Sequence, residues 1–254
     1  MTRDTKWSRR DVVKLLSAGT GLLVVGCDSP KKKQPKLPKY DWSKHYWGYA
    51  IDTTKCIGCC SCMRACRAEN DVPKKHFRTW VERYRIDEKG SVQVDAATGG
   101  NYVFGRKVGT VKKAFFVPKL CNHCEKSVCT QVCPVGASYH TKDGVVLVDQ
   151  EHCVGCGYCV QACPYGCRYI DPRNHLASKC TLCYHRITRA VELGEAATTA
   201  CVHACPTGAR VLGNLKNPKD RLSLLLKQQR HRMLRPEMGT HPKCYYFGLD
   251  REVI

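Results

Sequence analysis

Three observations predict an α+β fold, loop-rich and folded around cysteine-lined centres, for this 254-residue chain. Sixteen of its twenty cysteines fall into four groups of four. Residues 77–118 alternate apolar and polar side chains between the first and second groups, the period of a half-buried strand. Asp220–Leu234 follows a Pro-Lys-Asp start with helical spacing, so an outer helix is expected there. Aromatic content is only 8%, so whatever the cysteines hold must replace much of an apolar interior.

The groups have a defined spacing. Cys56, Cys59, Cys62 and Cys66 run C-x2-C-x2-C-x3-C, and Cys153, Cys156, Cys159 and Cys163 repeat that run and end on Pro164. Cys121, Cys124, Cys129 and Cys133 have a wider middle gap before Pro134. The last group splits into Cys180 and Cys183, then Cys201 and Cys205 before Pro206. The compact run is the bacterial ferredoxin pattern for a 4Fe–4S cubane. Three thiolates two residues apart point into one tight loop, while the fourth leaves along a helix and ligates the neighbouring cluster in two-cluster ferredoxins. Four runs therefore predict four 4Fe–4S clusters in two fused ferredoxin-like units, with Gly58, Ser61, Gly155 and Gly157 letting the backbone approach the sulfides. Groups two and three pair as sequence neighbours, leaving groups one and four to pair across the domain. Structural zinc takes two separated pairs of ligands, which only the fourth group resembles. A disulfide framework is the other alternative for an exported, cysteine-rich chain.

The amino-terminal end speaks against those bridges. Residues 1–27 read as a targeting segment. Ser8-Arg9-Arg10-Asp11-Val12-Val13-Lys14 resembles the twin-arginine motif, with Val where Phe and Leu are usual, and that route exports proteins already folded around their cofactors. The apolar stretch from Val12 to Val25 is short for a bilayer span. Val24-Val25-Gly26-Cys27 looks like a lipoprotein processing box, making Cys27 the expected lipidation site and the lipid a membrane anchor. Asp28, next in line, suits retention at the inner membrane, so the expected location is the periplasmic face of the cytoplasmic membrane. Residues 28–44 are rich in Lys and Pro and read as a tether over anionic lipid.

The formal net charge is +20, and residues 1–26, with five basic and two acidic side chains, account for three of those charges. A thiolate-ligated cubane is itself negative, which offsets part of the remainder. The export signal leaves lipid and protein partners rather than nucleic acid as the expected contacts. Residues 45–215 form the expected four-cluster domain, with 77–118 as an inserted β sheet turning at Lys89-Gly90 and Gly99-Gly100. Residues 216–254 are expected to add the outer helix and an extended tail, from Gly239, that packs on a partner.

The four groups in this order, with Cys163-Pro-Tyr-Gly and Cys205-Pro-Thr-Gly-Ala, resemble the iron–sulfur electron-transfer subunit of the dimethyl-sulfoxide-reductase family of molybdoenzymes. The likeness covers roughly residues 46–212. It implies clusters held by Cys56, Cys59, Cys62 and Cys205; by Cys66, Cys180, Cys183 and Cys201; by Cys121, Cys124, Cys129 and Cys163; and by Cys133, Cys153, Cys156 and Cys159. It also implies a molybdopterin-containing catalytic subunit and a polytopic quinol-handling membrane subunit as partners. The chain itself is then a non-catalytic relay. A hydrogenase, a formate dehydrogenase or a haem-containing quinol-oxidising complex uses the same kind of relay.

The remaining reactive residues read more plainly. Cys60 and Cys167 break the register and are expected as buried spare thiols, and Cys244 stands alone in the tail. His123, His152 and His203 neighbour ligands, which leaves two readings, ordinary packing first and tuning of a cluster's potential by hydrogen bonding or charge second. No C-x-x-C-H, dinucleotide fingerprint or P-loop occurs.

Overall fold

The structure is a computed structural model and describes residues 39–98, 102, 104 and 110–253. The expected leader, with Arg9, Arg10 and Cys27, lies outside the described residues, as does most of the tether. The described end of that tether packs on the fold instead of running free. Tyr40 is buried, and Asp41 caps a short 3-10 turn, Trp42–Lys44, by accepting from the Ser43 amide. Its anchor is Asp143, a fully buried carboxylate that accepts from the Tyr40 hydroxyl, from Trp47 Nε1 at 3.2 Å and from the Tyr184 hydroxyl at 3.0 Å. Burying that charge is tolerable because so many donors converge on it.

Strand β1 (Trp47–Asp52) is the inner strand of the principal sheet, and its first five residues are buried. It pairs antiparallel with β9 (Arg210–Asn214), Tyr49 opposite Leu212, and parallel with β11 (Cys244–Phe247), Tyr49 opposite Cys244. A two-residue edge strand, β10 (His231–Arg232), completes the order β10-β11-β1-β9. Helix α6 (Arg221–Gln228) covers this sheet, seating Leu222 on Ala50, Val211 and Phe247.

One expectation for the carboxyl-terminal region is corrected. The helix starts as expected, with Asp220 capping by accepting from the Leu222 amide, but it stops at Gln228, where Gln229 is extended. Leu234 is buried in the main core beyond it, and chain entering β10 cannot remain helical. The tail packs on its own chain: β11 is inside its own sheet, with Cys244 and Tyr246 fully buried. Cys244 is thus a core residue.

Residues 77–118 form the three-stranded antiparallel sheet that their alternation predicts. Its order is β3 (Val92–Ala96), β2 (Thr79–Ile86), β4 (Lys113–Leu120), the last running two residues past the expected limit. Val81, Val117 and Leu120 sink into the core, and Tyr84 stacks on Phe115 with ring centroids 5.2 Å apart. The Lys89-Gly90 turn joins β2 to β3; Gly99 and Gly100 lie outside the described residues.

The remainder alternates short helices and hairpins. Helix α1 (Ser61–Asn70) carries the end of group one. Groups two and three each contribute one turn, α2 (Val128–Gln131) and α3 (Tyr158–Gln161). Hairpin β5 (Ser138–His140) with β6 (Val146–Val148) links those two groups, and β7 (Arg168–Ile170) with β8 (Ala177–Lys179) leads to group four. Helix α4 (Tyr184–Glu192) follows the first half of that last group, and α5 (Ala200–His203) carries Cys201 of the second. Helix α1 packs against α5, and α2 against α3.

Candidate metal centres

The four cysteine groups share one backbone plan. In the first Cys-X-X-Cys loop of each group the residue before the second cysteine is left-handed: Gly58, His123, Gly155 and Leu182 have φ of 69°, 44°, 69° and 56°. Cys60 and Gly157, one residue past the second cysteine, repeat the conformation and cap α1 and α3. This bend turns successive amides toward one side of the loop, an arrangement that receives anionic sulfur. His123 and Leu182 hold it despite carrying a Cβ, a strain on the order of 1–3 kcal/mol each. At Gly155 there is no room for one, because a Cβ would collide with the carbonyl oxygen of His175.

The fourth cysteines share a second device. Cys133, Cys163 and Cys205 each open a Cys-Pro-X-Gly turn closed by the glycine amide donating to the cysteine carbonyl, at 3.2, 3.2 and 3.3 Å. Proline fits the second position of such a turn and glycine the last. Strands β5, β7 and β9 then begin at Ser138, Arg168 and Arg210, the same distance past each cysteine. Group one lacks the turn. Cys66 instead sits one helical turn beyond Cys62 on α1, so both thiols lie on one face.

These loops bring thiols of different groups together. One small cavity, of about 10 Å³, is lined by Cys66, Cys180, Cys183 and Cys201, with Tyr49, Asn70, Arg78 and Leu120 around them. All four cysteines are buried. Another, of about 20 Å³, is lined by Cys121, Cys124, Cys129 and Cys163, with Asn122, Tyr165, Cys167 and Arg168. Cys56 and Cys62 lie within electrostatic reach of Cys205. Cys59 and Cys156 are exposed, while Cys133 and Cys153 are partly so. Among the described residues no three Cys, His, Asp or Glu side chains close around a single ion. The thiols lining each cavity stand around a volume.

Burial sets the character of the cavity thiols. It pushes Cys180 and Cys124 up to about 12, and raises Cys66, whose neighbours Cys180, Cys201 and Cys183 add to the effect. Such thiols keep their protons until a cation replaces them, so metal loading releases protons. Cys163 differs, held down at about 5 chiefly by a hydrogen bond from Cys167. Cys167 also donates to the Leu120 carbonyl at 3.1 Å and is fully enclosed, and Cys60 donates to the Gly58 carbonyl at 3.3 Å.

Donors surround the sulfurs. Asn70 Nδ2 is 3.7 Å from both Cys66 Sγ and Cys183 Sγ, the Leu182 amide donates to Cys180 Sγ at 3.3 Å, and Tyr49 OH is 3.2 Å from Cys201 Sγ. Arg168 Nη2 is 2.9 Å from Cys129 Sγ. Several buried donors on the cavity walls have no protein acceptor: Asn122 Nδ2 and Arg168 Nη1 at one, Arg78 Nε at the other. Buried donors are rarely left unpaired. A cofactor that presents anionic acceptor atoms inside a thiol cage meets that demand, so the residues present fit a thiolate-ligated iron–sulfur cluster.

The histidines beside the cysteines serve locally. His123 is buried, its Nδ1 accepting from the Val146 amide at 3.1 Å, and His152 pairs with Asp149 at 2.9 Å on the surface. Sequence reasoning missed Arg168 and Arg210. The signal was present, since each stands five residues after a cysteine followed by proline.

Residues 112–215 match the family model of a 4Fe-4S dicluster domain. The chain is 38% identical over 237 residues to a tetrathionate reductase subunit of Salmonella typhimurium, an alignment covering 91% of this chain and 85% of that one. It is 38% identical over 199 residues to a sulfite dehydrogenase subunit of Allochromatium vinosum, covering 77% and 80%. At 33% identity it also matches an Hdr-like menaquinol oxidoreductase iron–sulfur subunit of Archaeoglobus fulgidus, over 96% of this chain and 99% of that one.

Proposed function

The chain belongs to the family of iron–sulfur electron-transfer subunits of multi-subunit oxidoreductases, and from that premise we propose that it relays electrons through four 4Fe–4S clusters. The ends of the relay are a membrane quinol-handling subunit and an exported molybdenum catalytic subunit. When bound, each cubane supplies a one-electron redox site; the protein's work is to hold, space and insulate it. Cys66, Cys180, Cys183 and Cys201 hold one cluster, and Cys121, Cys124, Cys129 and Cys163 a second. Cys56, Cys59, Cys62 and Cys205 hold a third, and Cys133, Cys153, Cys156 and Cys159 the last.

The observation that carries this reading is the pair of cavities, each lined by four cysteines drawn from two groups in the crossed pattern. Helix packing supports it: the helices of groups one and four touch, as do those of groups two and three. A linear order follows from the neighbours each set has. Cys62 feels Cys201, Cys180 feels Cys121, and Arg168 feels both Cys129 and Cys159. The sets with Cys59 and with Cys156 are then the two ends. A second reading, the same relay in a menaquinol-oxidising complex, is favoured by the Archaeoglobus fulgidus relative of that name.

We place the protein at the periplasmic face of the cytoplasmic membrane, exported by the twin-arginine route and anchored through lipid on Cys27. The Ser8-Arg9-Arg10 motif and the Val24–Cys27 box support this placement, and no helix among the described residues is long and apolar enough to cross a membrane. Protein purified anaerobically should contain about sixteen irons and as many sulfides per chain. A content near four irons, or stoichiometric zinc, rejects the four-cluster reading. Replacing Arg9 and Arg10 with Lys should strand cluster-loaded protein in the cytoplasm. Unchanged export rejects the leader.

A further inference from the structure

Arg168 and Arg210 occupy the same place in two copies of one motif. Each is the first residue of the strand that follows a Cys-Pro-X-Gly turn, after Cys163 and Cys205 respectively. Their exposures are 5% and 2%. Among the described residues neither meets a carboxylate. Arg168 Nη2 donates to Cys129 Sγ at 2.9 Å and to Ser138 Oγ at 2.7 Å, while its Nη1 has no protein acceptor. Arg210 donates to Thr79 Oγ1 at 2.9 Å and to Tyr49 OH at 3.4 Å, and that hydroxyl lies against Cys201. A guanidinium buried without an anion is costly, and hydroxyl partners do not neutralise it.

The compensating charge comes from sulfur on two sides. Arg168 hydrogen-bonds to Cys129 at 2.9 Å and also reaches Cys159. Arg210 hydrogen-bonds to Cys62 and, through the Tyr49 hydroxyl, meets Cys201. Cys129 and Cys159 belong to different four-cysteine sets, and so do Cys62 and Cys201.

We propose that Arg168 and Arg210 are matched bridging cations, each seated between an end cluster and the adjoining middle cluster and raising the reduction potential of both. The proposal rests on the four-cluster reading. One-electron reduction adds a negative charge to a cluster, and a fixed cation in a low-dielectric surrounding favours the form with more negative charge. The third copy of the motif carries no cation. Ser138, which follows Cys133 at the same spacing, is neutral and accepts from Arg168. Lys179, between the two middle sets, directs its Nζ to the carbonyls of Val146 and Cys180.

The test uses the full, anaerobically loaded chain. Iron per chain is measured first, for wild type and for Arg168→Met and Arg210→Met, and the midpoints of the four clusters are then followed by potentiometric EPR titration. At unchanged iron content, Arg168→Met should move two midpoints to more negative values and leave two in place. Arg210→Met should move the complementary two, and Arg168→Lys, which keeps the charge, should stay close to wild type. No shift, a shift in one cluster, or an equal shift in all four overturns the proposal. Should Arg168→Met fail to load, Arg168→Gln and Arg168→Lys are compared, since both keep a donor near Cys129 and differ in charge. A pairwise negative shift in Gln alone supports the proposal, and equal midpoints overturn it. Wild-type iron far below sixteen per chain would instead reject the four-cluster reading, an outcome visible before any midpoint is measured.

Discussion

The cysteines that line the two cavities and those at the two ends of the array are held by different means. Cys66, Cys180, Cys183 and Cys201 are all buried, among packed side chains such as Tyr49 and Leu120. Cys59 and Cys156 are exposed, in loops whose Ile57 and Val154 are 60% and 64% exposed. Thiol chemistry follows burial rather than the division itself: Cys56 and Cys62, in an end set, are raised by it, and Cys163, in a cavity, is lowered by its hydrogen bond from Cys167. Burial raises Cys66 and Cys180. At Cys133 burial is overcome by backbone amides of Ser138, Val135, Ala137 and Gly136, and at Cys59 by hydrogen bonds from Ser61, so both are lowered. The set around Cys180 is enclosed by packing, whereas Cys59 and Cys133 lean on nearby hydrogen-bond donors. Enclosed thiols depend on their cofactor to complete the core, whereas open ones leave a redox site within reach of a neighbour.

Removing one ligand from each region is the strongest way to break this contrast. Cys180→Ala opens a buried cage that adjoins Cys121, so iron should fall by more than one cluster's share and stability by more than about 4 kcal/mol. Cys156→Ala should cost at most one cluster and leave protease resistance intact. Equal losses of iron and of protease resistance would erase the distinction. A smaller effect probes the main-chain support of an end. Gly155→Ala forces a Cβ onto the His175 carbonyl at φ +69°, whereas Gly166→Ala has the same strain at φ +62° with open space around it. Unfolding of the loaded protein should show a loss of about 1–2 kcal/mol for Gly166→Ala and about 3 kcal/mol for Gly155→Ala. The smallest effect on the chain itself belongs to Ile57→Asp and Val154→Asp, within about 0.5 kcal/mol and with iron unchanged. In the assembled complex each should slow electron exchange with one partner only. A fall in iron would show that these side chains support the cages.

Much of the centre was legible because cysteine spacing is a local code. A loop of Cys-X-X-Cys and a following helix fix their own geometry, so the groups and the left-handed positions at Gly58 and Gly155 follow from a few adjacent residues. The sheet between groups one and two was equally local, its period carried by Thr79–Ile86. Long-range pairing was not readable. Cys244–Phe247 shows some alternation, but nothing nearby says that its partner is β1, at the other end of the described chain. The helix after Asp220 ended early for the same reason, since Leu234 is claimed by a core assembled elsewhere. Arg168 and Arg210 look like surface residues in the sequence because the charges that compensate them are contributed by distant cysteines.

The place of β11 has a consequence for how the molecule is made. β1, which leads into the group-one loop, receives one edge from β9 and the other from β11. During synthesis β1 emerges long before either neighbour, with an apolar row and two unpaired edges. Its pairings have high sequence separation, which makes them late and exposes the intermediate to association. The sheet that the group-one loop leaves from is therefore completed only once Cys244–Phe247 has left the ribosome.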